Sequence, residues 1–245
     1  MSGRLASGAR RLVRGLLALA WLSGAGAGAR EVHLTLLCTT DLHGRVLPAV
    51  AAEPGDEAGS LLRCATLIER ARRTEPNVLL LDCGDVYQGS AESWLTHGDI
   101  MVRAMRWLRY DACTLGNHDF DWGLPALARL VATQSMPVLA ADLAVPPGVD
   151  HPLPSVRGFV VREIDGVKVA LVGLATPGIP SWLRPDGLGG LQFLPSVKAL
   201  ARVMPQVREA DPDVLVLMVH QGYQPGGDDF ANQVRQIAAN FPEID

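Results

Sequence analysis

Runs of consecutive apolar residues alternate along this chain with segments in which apolar residues recur every three or four positions. The continuous runs predict buried strands, and the three-to-four spacing predicts amphipathic helices. The predicted strands are 32–38, 78–81, 111–115, 137–140, 156–164, 167–174 and 214–219. The predicted helices are 61–73, 91–108, 123–134, 195–209 and 229–240. This alternation predicts an α/β domain with mostly parallel strands, and the Asp165-Gly166 turn predicts a hairpin that belongs to a mixed sheet or a second sheet.

The first 29 residues have the order of a secretory signal peptide. A basic stretch precedes the apolar run 16–22, and small residues then continue to Ala29, with cleavage predicted after Ala27 or Ala29. The apolar run is far shorter than the roughly 20 residues that span a membrane. Arg10-Arg11 is compatible with a twin-arginine signal. We therefore expect export to the periplasm or the exterior, and no membrane span in the mature chain.

The charge balance bears on the class of partner. The formal net charge is −4, but the first 29 residues hold four arginines and no acid, so 18 basic residues remain against 26 acidic ones. Proteins that bind nucleic acid show clustered basic charge instead. We expect no nucleic-acid partner, and the sequence gives no sign of the oligomeric state.

Four cysteines, Cys38, Cys64, Cys83 and Cys113, permit two disulfides in three pairings. Three of them lie in or beside apolar runs, the fourth lies in a predicted helix, and none has zinc-finger spacing. Free cysteines in such positions usually behave as small buried hydrophobic residues. We expect no chemistry from them.

Polar side chains follow four of the predicted strands where each strand ends. They are Asp41 and His43 after the first strand, Asp85 after the second, Asn117 and His118 after the third, and His220 after the last. A single Asp after a strand is commonly a helix N-cap. Ligands of open α/β sheets, however, bind at the carboxyl ends of the strands. Four such groups at strand ends therefore predict a functional site.

The residue types at this predicted site narrow the choice of metal ion and of reaction. Carboxylate, imidazole and amide ligands without thiolate suit Zn²⁺, Mn²⁺ or Fe, and the histidines argue against a purely Ca²⁺ or Mg²⁺ site. Two ions roughly 3.5–4 Å apart, bridged by a carboxylate, serve in-line displacement at phosphorus. His118 beside Asn117 would act on the leaving group as a proton donor or electrostatic clamp, and Asp121 would orient its imidazole.

The motifs Asp41-x-His43, Gly84-Asp85 with Gln88-Gly89, Gly116-Asn117-His118-Asp119-Phe120-Asp121 and His220-x-Gly222 resemble those of the calcineurin-like metallophosphoesterases, in the exported 5'-nucleotidase and UDP-sugar hydrolase branch. The resemblance implies a four-layer α/β fold of two packed mixed sheets flanked by helices. It also implies hydrolysis of nucleotide phosphoesters, of the 5'-nucleotidase, UDP-sugar hydrolase or cyclic-nucleotide phosphodiesterase type, with two divalent metal ions. Carried over by motif, Asp41 and His43 bind the first ion, Asp85 bridges, Asn117 and His220 bind the second, and His118 with Asp121 form a catalytic dyad.

The sequence departs from the family pattern at its end. The family has a further Gly-His-x-His or Gly-His-x-Gln motif, and the chain stops at Asp245, before such a motif. We therefore expect residues 30–245 to be a metallophosphatase domain that is incomplete at its C-terminus, with five of seven ligands, its last strands missing and no nucleoside-binding C-terminal domain. Two alternatives are a catalytically incompetent fragment and a relative that cleaves a sulfur ester.

The other histidines and two aromatic residues have simpler interpretations. His33, His97 and His151 do not follow predicted strands, so surface or core packing is expected for them rather than a ligand role. Trp182 and Phe193 could stack on a nucleobase, but isolated aromatic residues are more often part of a core.

Overall fold

The structure is a computed structural model that describes residues 31–48 and 59–245, so the predicted signal peptide lies outside the described residues. The strands are β1 (Thr35–Thr39), β2 (Val78–Asp82), β3 (Ala112–Thr114), β4 (Val138–Leu139), β5 (Leu143–Ala144), β6 (Val156–Arg157), β7 (Phe159–Ile164), β8 (Val167–Leu174), β9 (Gln192–Phe193) and β10 (Val214–Val219). The α-helices are α1 (Leu61–Thr74), α2 (Ala91–Leu95), α3 (Asp99–Leu108), α4 (Leu124–Thr133), α5 (Ile179–Trp182), α6 (Ser196–Glu209) and α7 (Val234–Asn240). Short 3₁₀ turns lie at His118–Phe120 and Pro185–Leu188.

The first sheet contains five strands in the order β1-β2-β3-β4-β6, and every adjacent pair is parallel. A parallel sheet is covered on both faces, so its inner strands are continuous apolar runs. The sequence 79–81 of β2 is such a run, and all three leucines are buried. The predicted parallel α/β arrangement is confirmed.

The second sheet contains β10, β8 and β7 in that order. β8 pairs parallel with β10 and antiparallel with β7. The β7–β8 hairpin turns at Asp165 and Gly166, which both have positive φ (53° and 85°) as a tight two-residue hairpin turn requires. The predicted hairpin is therefore confirmed, and it belongs to a second sheet. β5 and β9 form a separate two-stranded antiparallel ribbon.

Apolar side chains define three packed interfaces that arrange these elements in four layers. Leu79, Leu81 and Leu139 of the first sheet pack against Val169 and Leu171 of the second. The other face of the first sheet packs against α1, α3 and α4. The other face of the second sheet packs against α6 and α7. Within the described residues, no helix has the length and apolarity needed to cross a bilayer.

A glycine lies at the contact between the two sheets. A Cβ atom on Gly173 of β8 would lie 2.4 Å from the Cβ of Leu139 on β4, well inside contact distance. The absence of a side chain at Gly173 lets the sheets pack face to face at this point.

Two predicted elements are divided in the structure. The predicted strand 156–164 breaks at Gly158, so that β6 joins the first sheet and β7 joins the second. The predicted helix 91–108 breaks between α2 and α3, where His97 and Gly98 both adopt left-handed backbone conformations. Left-handed residues end a helical hydrogen-bond pattern, so one amphipathic pattern becomes two helices.

The last predicted helix, 229–240, begins later than expected, at Val234. The Asp229 carboxylate accepts hydrogen bonds from the backbone N–H groups of Ala231 (2.8 Å) and Asn232 (2.7 Å). This local side-chain capping offers the backbone an alternative to helix, which is why residues 229–233 lie outside the helix.

Candidate active site

The carboxyl ends of β1, β2 and β3 are adjacent because these strands are parallel neighbours. They carry Asp41 and His43, Asp85, and Asn117, respectively, while His220 follows β10 of the second sheet. Asp41, Asn117 and His220 line one cleft of about 490 Å³. His43 lies 3.7 Å from Asp41 and Asp85 lies 3.3 Å from His220, so the structure brings together the five residues that sequence analysis predicted as metal ligands.

The Asp85 carboxylate lies at the centre of this group and is 2% exposed as a residue. Its Oδ1 accepts the backbone N–H of His118 at 2.8 Å. Its Oδ2 lies 3.3 Å from Nε2 of His220 and 3.8 Å from Nε2 of His43. One carboxylate oxygen is thus held by the backbone, and the other lies near two imidazole nitrogens.

Backbone carbonyls fix both imidazole rings. Nδ1 of His43 lies 3.0 Å from the carbonyl oxygen of Gln88, and Nδ1 of His220 lies 2.8 Å from that of Cys83. A carbonyl oxygen can only accept, so Nδ1 is the protonated nitrogen in each neutral ring. The lone pair is then on Nε2, which faces Asp85. Histidines that bind metals are usually oriented in this way.

Asp85 and His220 perturb each other's pKa. Burial lowers the pKa of His220, but the contact with Asp85 and the charges of Asp85 and Asp41 outweigh it and raise that pKa to about 9. Burial raises the pKa of Asp85, whereas the neighbouring His220 and His118 lower it, with a net lowering. A proton on Nε2 and a metal ion compete for the same lone pair.

The backbone is strained at three of the candidate ligands. Asp41, His43 and Asp85 have φ of 53°, 46° and 59°, in the left-handed region that residues with a side chain rarely adopt. Each such residue costs on the order of 1–3 kcal/mol, and such residues cluster at functional sites. The strain at these ligands is therefore typical of a binding site.

Gly116 allows the turns that follow β2 and β3 to pack against each other. A Cβ atom on Gly116 would lie 2.1 Å from Oδ1 of Asp85 and 2.5 Å from its backbone nitrogen. No side chain fits between these atoms. This contact explains why a glycine comes directly before Asn117.

His118 and Asp121 form a pair beside the metal-ligand group. Nδ1 of His118 lies 2.7 Å from Oδ2 of Asp121, and the His118 ring packs edge-on against that of His43 with centroids 5.3 Å apart. The hydrogen bond to Asp121 raises the pKa of His118 above its usual value, with a smaller opposing effect of burial. The pair has the geometry of an oriented imidazole that can hold a proton near the cleft.

Asp119 is a residue whose role sequence analysis missed. Its carboxylate is buried and accepts four backbone N–H groups. The donors are Val86 (2.8 Å), Gly116 (2.8 Å), Asp85 (3.0 Å) and Tyr87 (3.3 Å). Asp119 thereby ties the turn that carries Asp85 to the turn that carries Asn117. The motif contained this residue, but only the three-dimensional structure reveals what its carboxylate binds.

Aromatic residues lie at one side of the cleft. Trp182 lines the cleft and is 51% exposed, and its ring packs edge-to-face against Phe230 with centroids 6.0 Å apart. The expectation that Trp182 belongs to a core is therefore wrong, because α5 ends at this residue and presents it to the cleft. Phe193 does pack, against Phe120 at 5.4 Å.

The remaining histidines lie apart from this group. His33, His97 and His151 are exposed, and none of them lines the cleft.

The prediction that the cysteines are buried holds only in part. Cys113 is buried, but Cys38 is exposed, and Cys38 and Cys83 both line the cleft with their sulfur atoms 3.4 Å apart.

Comparison with known sequences decides the family. The sequence model of the calcineurin-like phosphoesterases matches residues 34–244. The chain belongs to this family. Its calcineurin-like phosphoesterase domain is similar to the trifunctional nucleotide phosphoesterase protein YfkN of Bacillus subtilis (30% identity over 81% of this chain) and to human 5'-nucleotidase (31% over 85%). The predicted resemblance to the 5'-nucleotidase branch is therefore confirmed.

Solved structures confirm the fold. The crystal structure of the calcineurin-like phosphoesterase YfkN from Bacillus subtilis superposes with a TM-score of 0.77 at 28% identity, over 88% of this chain and 71% of that one. The chain spans 15% of the curated YfkN sequence and 37% of human 5'-nucleotidase. Because the chain covers only part of those proteins, hydrolysis of their substrates by this chain is a proposal.

The donor set of this calcineurin-like phosphoesterase domain fits divalent metal ions. Ligand atoms of Asp41, Asp85 and His220 all lie within 4.8 Å of one another. Nε2 of His43 is 3.7 Å from Oδ1 of Asp41, so a second imidazole adjoins the group. Two carboxylates and two oriented imidazoles without thiolate suit Zn²⁺, Mn²⁺ or Fe²⁺. The domain therefore contains a candidate metal site.

Proposed function

We propose that this chain is the metallophosphatase domain of a hydrolase that cleaves nucleotide phosphoesters with two divalent metal ions, Zn²⁺ or Mn²⁺ foremost and Fe as a third choice. The observation that carries the proposal is the position of Asp85, whose Oδ2 lies 3.3 Å from Nε2 of His220 and 3.8 Å from Nε2 of His43. One carboxylate oxygen near two imidazole nitrogens is compatible with a bridging carboxylate. The similarity to nucleotide phosphoesterases supports the substrate class.

In this proposal the ligands divide between two ions. Asp41 and His43 would hold the first, Asn117 and His220 would hold the second, and Asp85 would contribute to both. When bound, the ions would supply positive charge for the phosphoryl oxygens and lower the pKa of a bound water. The carbonyls of Gln88 and Cys83 keep both imidazoles in the tautomer that ligation requires.

His118 acts on the leaving group in the same proposal. Its Nδ1 is held by Asp121, so Nε2 is the atom that can donate a proton to the departing oxygen. The raised pKa of His118 keeps the ring protonated to a higher pH than a free imidazole. Asp121 is then a positioning residue that also stabilises the imidazolium.

The sequence also supports a proposal for the domain boundaries and for the location of the protein. We propose residues 1–29 as a signal peptide and residues 30–245 as the catalytic domain of an exported protein that acts in the periplasm or outside the cell. The basic, apolar and small-residue order of residues 1–29 supports this assignment. Its partner is a small nucleotide.

The function is tested on the complete gene product with Mn²⁺ or Zn²⁺. The substrates are a 5'-nucleotide, a 2',3'-cyclic nucleotide, a UDP-sugar and a thiosulfonate, and the products are quantified. We expect metal-dependent hydrolysis of at least one nucleotide. Cleavage of the thiosulfonate alone would instead favour the sulfur-ester alternative, and inactivity towards every substrate would contradict the proposal.

Metal binding itself gives a further prediction. Mn²⁺ at about one hundred times its Kd stabilises the folded protein by about 2.7 kcal/mol, because the ligand group exists only in the folded state. We expect a higher Tm with Mn²⁺ and a return to the starting value with EDTA. Asp150→Asn, which changes an exposed carboxylate in the loop between β5 and β6, serves as the control and should keep the full Mn²⁺ response. A Tm that does not respond to Mn²⁺, Zn²⁺ or Fe²⁺ would contradict the proposed metal site.

Trp182 is proposed to contact the nucleobase, because it is exposed in the cleft and its ring is braced by Phe230. Stacking of a base on an aromatic ring contributes about 1–3 kcal/mol. We expect Trp182→Ala to raise KM for a 5'-nucleotide about tenfold and to leave hydrolysis of ribose 5-phosphate, which has no base, unchanged. Trp107→Ala, at an exposed position on α3, is the matched control. An equal loss on both substrates would exclude a role in base recognition.

A further inference from the structure

Two cysteine thiols meet at the wall of the cleft. The sulfur atoms of Cys38 and Cys83 are 3.4 Å apart, in contact but unbonded. Cys38 lies in β1, where it pairs in register with Leu81 of β2, and Cys83 follows β2 two residues after Leu81. Side chains two residues apart point to the same face of a sheet. The sulfur of Cys83, just beyond the end of β2, therefore lies next to that of Cys38 on the neighbouring strand.

This geometry is close to that of a disulfide. A disulfide bond is about 2.05 Å long, so the sulfurs need to approach by only about 1.4 Å. The backbone is already tied at this point, because the N–H of Cys83 donates to the carbonyl of Thr39 at 2.8 Å. Cys83 is offset by two residues from the register partner of Cys38 and lies beyond the end of β2. Closing the remaining gap therefore combines side-chain rotation with a shift of the backbone at Cys83.

Solvent can reach the pair. Cys38 is exposed and Cys83 is half-buried, and both line the cleft of about 490 Å³ that also contains Asp41 and His220. The contact with Cys83 lowers the pKa of Cys38 to about 7, against a smaller opposing effect of burial, whereas the same contact and burial raise the pKa of Cys83. An exposed thiol that ionises readily is the usual attacking group in thiol–disulfide exchange.

We propose that Cys38 and Cys83 form a reversible dithiol–disulfide pair, oxidised by exchange with a small-molecule disulfide that enters the cleft, and that the bond weakens metal binding at the adjacent site. The first part stands on the position of the two sulfurs alone. The second part rests on the metal site described under the proposed function.

The exchange proceeds in two balanced steps. The Cys38 thiolate attacks one sulfur of the external disulfide, which forms a mixed disulfide on Cys38 and releases one external thiolate. Cys83 loses its proton to solvent and attacks the Cys38 sulfur, which forms the Cys38–Cys83 bond and releases the second external thiolate. Both released thiolates take up protons. Two protein thiols are oxidised and one external disulfide is reduced to two thiols.

Cys83 couples this bond to the metal ligands. Its carbonyl oxygen accepts the hydrogen bond from Nδ1 of His220, and two residues later Asp85 carries the central carboxylate. A shift of Cys83 towards Cys38 that includes its backbone therefore displaces the carbonyl that orients His220. Loss of such outer contacts typically lowers metal affinity by 10–100-fold, so we expect about tenfold weaker Mn²⁺ binding in the oxidised form.

The bond is tested on the complete gene product treated with oxidised glutathione. Remaining thiols are alkylated after denaturation, and the digested protein is analysed by mass spectrometry. We expect a cross-linked pair of peptides containing Cys38 and Cys83, which dithiothreitol separates, and alkylated Cys64 and Cys113. Recovery of Cys38 and Cys83 in alkylated form, or of Cys38 still bound to glutathione, would overturn the proposal.

Single substitutions distinguish the attacking thiol from the resolving thiol. Cys83→Ser should stop at the mixed disulfide between Cys38 and glutathione, because the resolving thiol is gone. Cys38→Ser should form neither product, and Cys64→Ser on α1 should behave like the wild type. Equal labelling of all variants would contradict the assignment of Cys38 as the attacking thiol.

The coupling is measured separately, as the apparent Kd for Mn²⁺ from thermal-shift titrations of the reduced and oxidised forms. We expect the two forms to differ about tenfold, and we expect Cys38→Ser to bind equally well with or without glutathione disulfide. A cross-link with unchanged Mn²⁺ affinity would overturn the coupling but leave the disulfide. Failure of both forms to bind any metal would overturn the proposed metal site and the coupling together, whereas the mass measurement of the bond would still stand.

Discussion

Asp85→Asn is expected to lower kcat/KM for nucleotide hydrolysis by at least about 10³-fold, a loss of about 4 kcal/mol of transition-state stabilisation. The substitution keeps the shape of the side chain, and its amide oxygen can still accept the N–H of His118 that Oδ1 of Asp85 accepts at 2.8 Å. What it removes is the negative charge of Oδ2, which faces Nε2 of both His43 and His220. A neutral amide cannot bridge two cations in place of a carboxylate, so the loss falls on metal-dependent catalysis.

Asp150→Asn is the matched control for this variant, since the same chemical change is made at an exposed position outside the cleft. Circular dichroism and Tm without added metal should show that both variants fold like the wild type. The Mn²⁺ stabilisation should be lost in Asp85→Asn and retained in Asp150→Asn. Undiminished phosphate release by a folded Asp85→Asn protein would defeat the proposed site.

Long apolar runs made most of the fold predictable from the sequence. The run 214–219 is a strand with the predicted bounds, because apolar residues fill it and polar residues flank it on both sides. The two-residue strands β5 and β9 are too short to show any periodicity. The change of sheet at Gly158 was equally hidden, since the runs on its two sides look like one strand.

The exposure of Cys38 could likewise not be predicted from the local sequence. An apolar run predicts burial, but β1 is the edge strand of its sheet, and its residues alternate between half-buried and exposed. Position in the sheet depends on strand order, and strand order is not visible in a local pattern. The prediction that the cysteines are all buried was therefore wrong at the place where two of them meet.

The candidate ligands could be found from the sequence because parallel strands must end at the same edge. Each of Asp41, Asp85 and Asn117 follows a strand of the first sheet. Asp119 gave no such signal, because its role depends on four N–H groups from two different turns. Backbone groups carry no sequence information, so a carboxylate that binds only backbone is recognised in the structure alone.

Asp119→Asn is expected to reduce the free energy of unfolding by about 3 kcal/mol and to weaken metal binding with it. Hydrogen bonds to a charged group are worth about 1.5–3 kcal/mol each, and the amide nitrogen of asparagine would point one donor at other N–H donors. Burial and the charge of Asp85 raise the pKa of Asp119 to about 6, although its backbone N–H partners oppose this. The carboxylate is therefore ionised at pH 7.5, where the comparison with wild type is made.

Asp142→Asn is a matched control, because Asp142 is as deeply buried as Asp119 but accepts the N–H of a single other residue within the described part of the chain, Ala175 (2.9 Å), at Oδ1. Its Oδ2 has no hydrogen-bond partner within the described part of the chain. We expect this variant to lose less than about 1 kcal/mol, the usual value of a single hydrogen bond. Urea unfolding of both variants measures the difference, and Mn²⁺ titration of the folded Asp119→Asn protein measures the effect on the site. Equal destabilisation by the two substitutions would mean that burial of a carboxylate, rather than the four N–H groups that Asp119 binds, sets the cost.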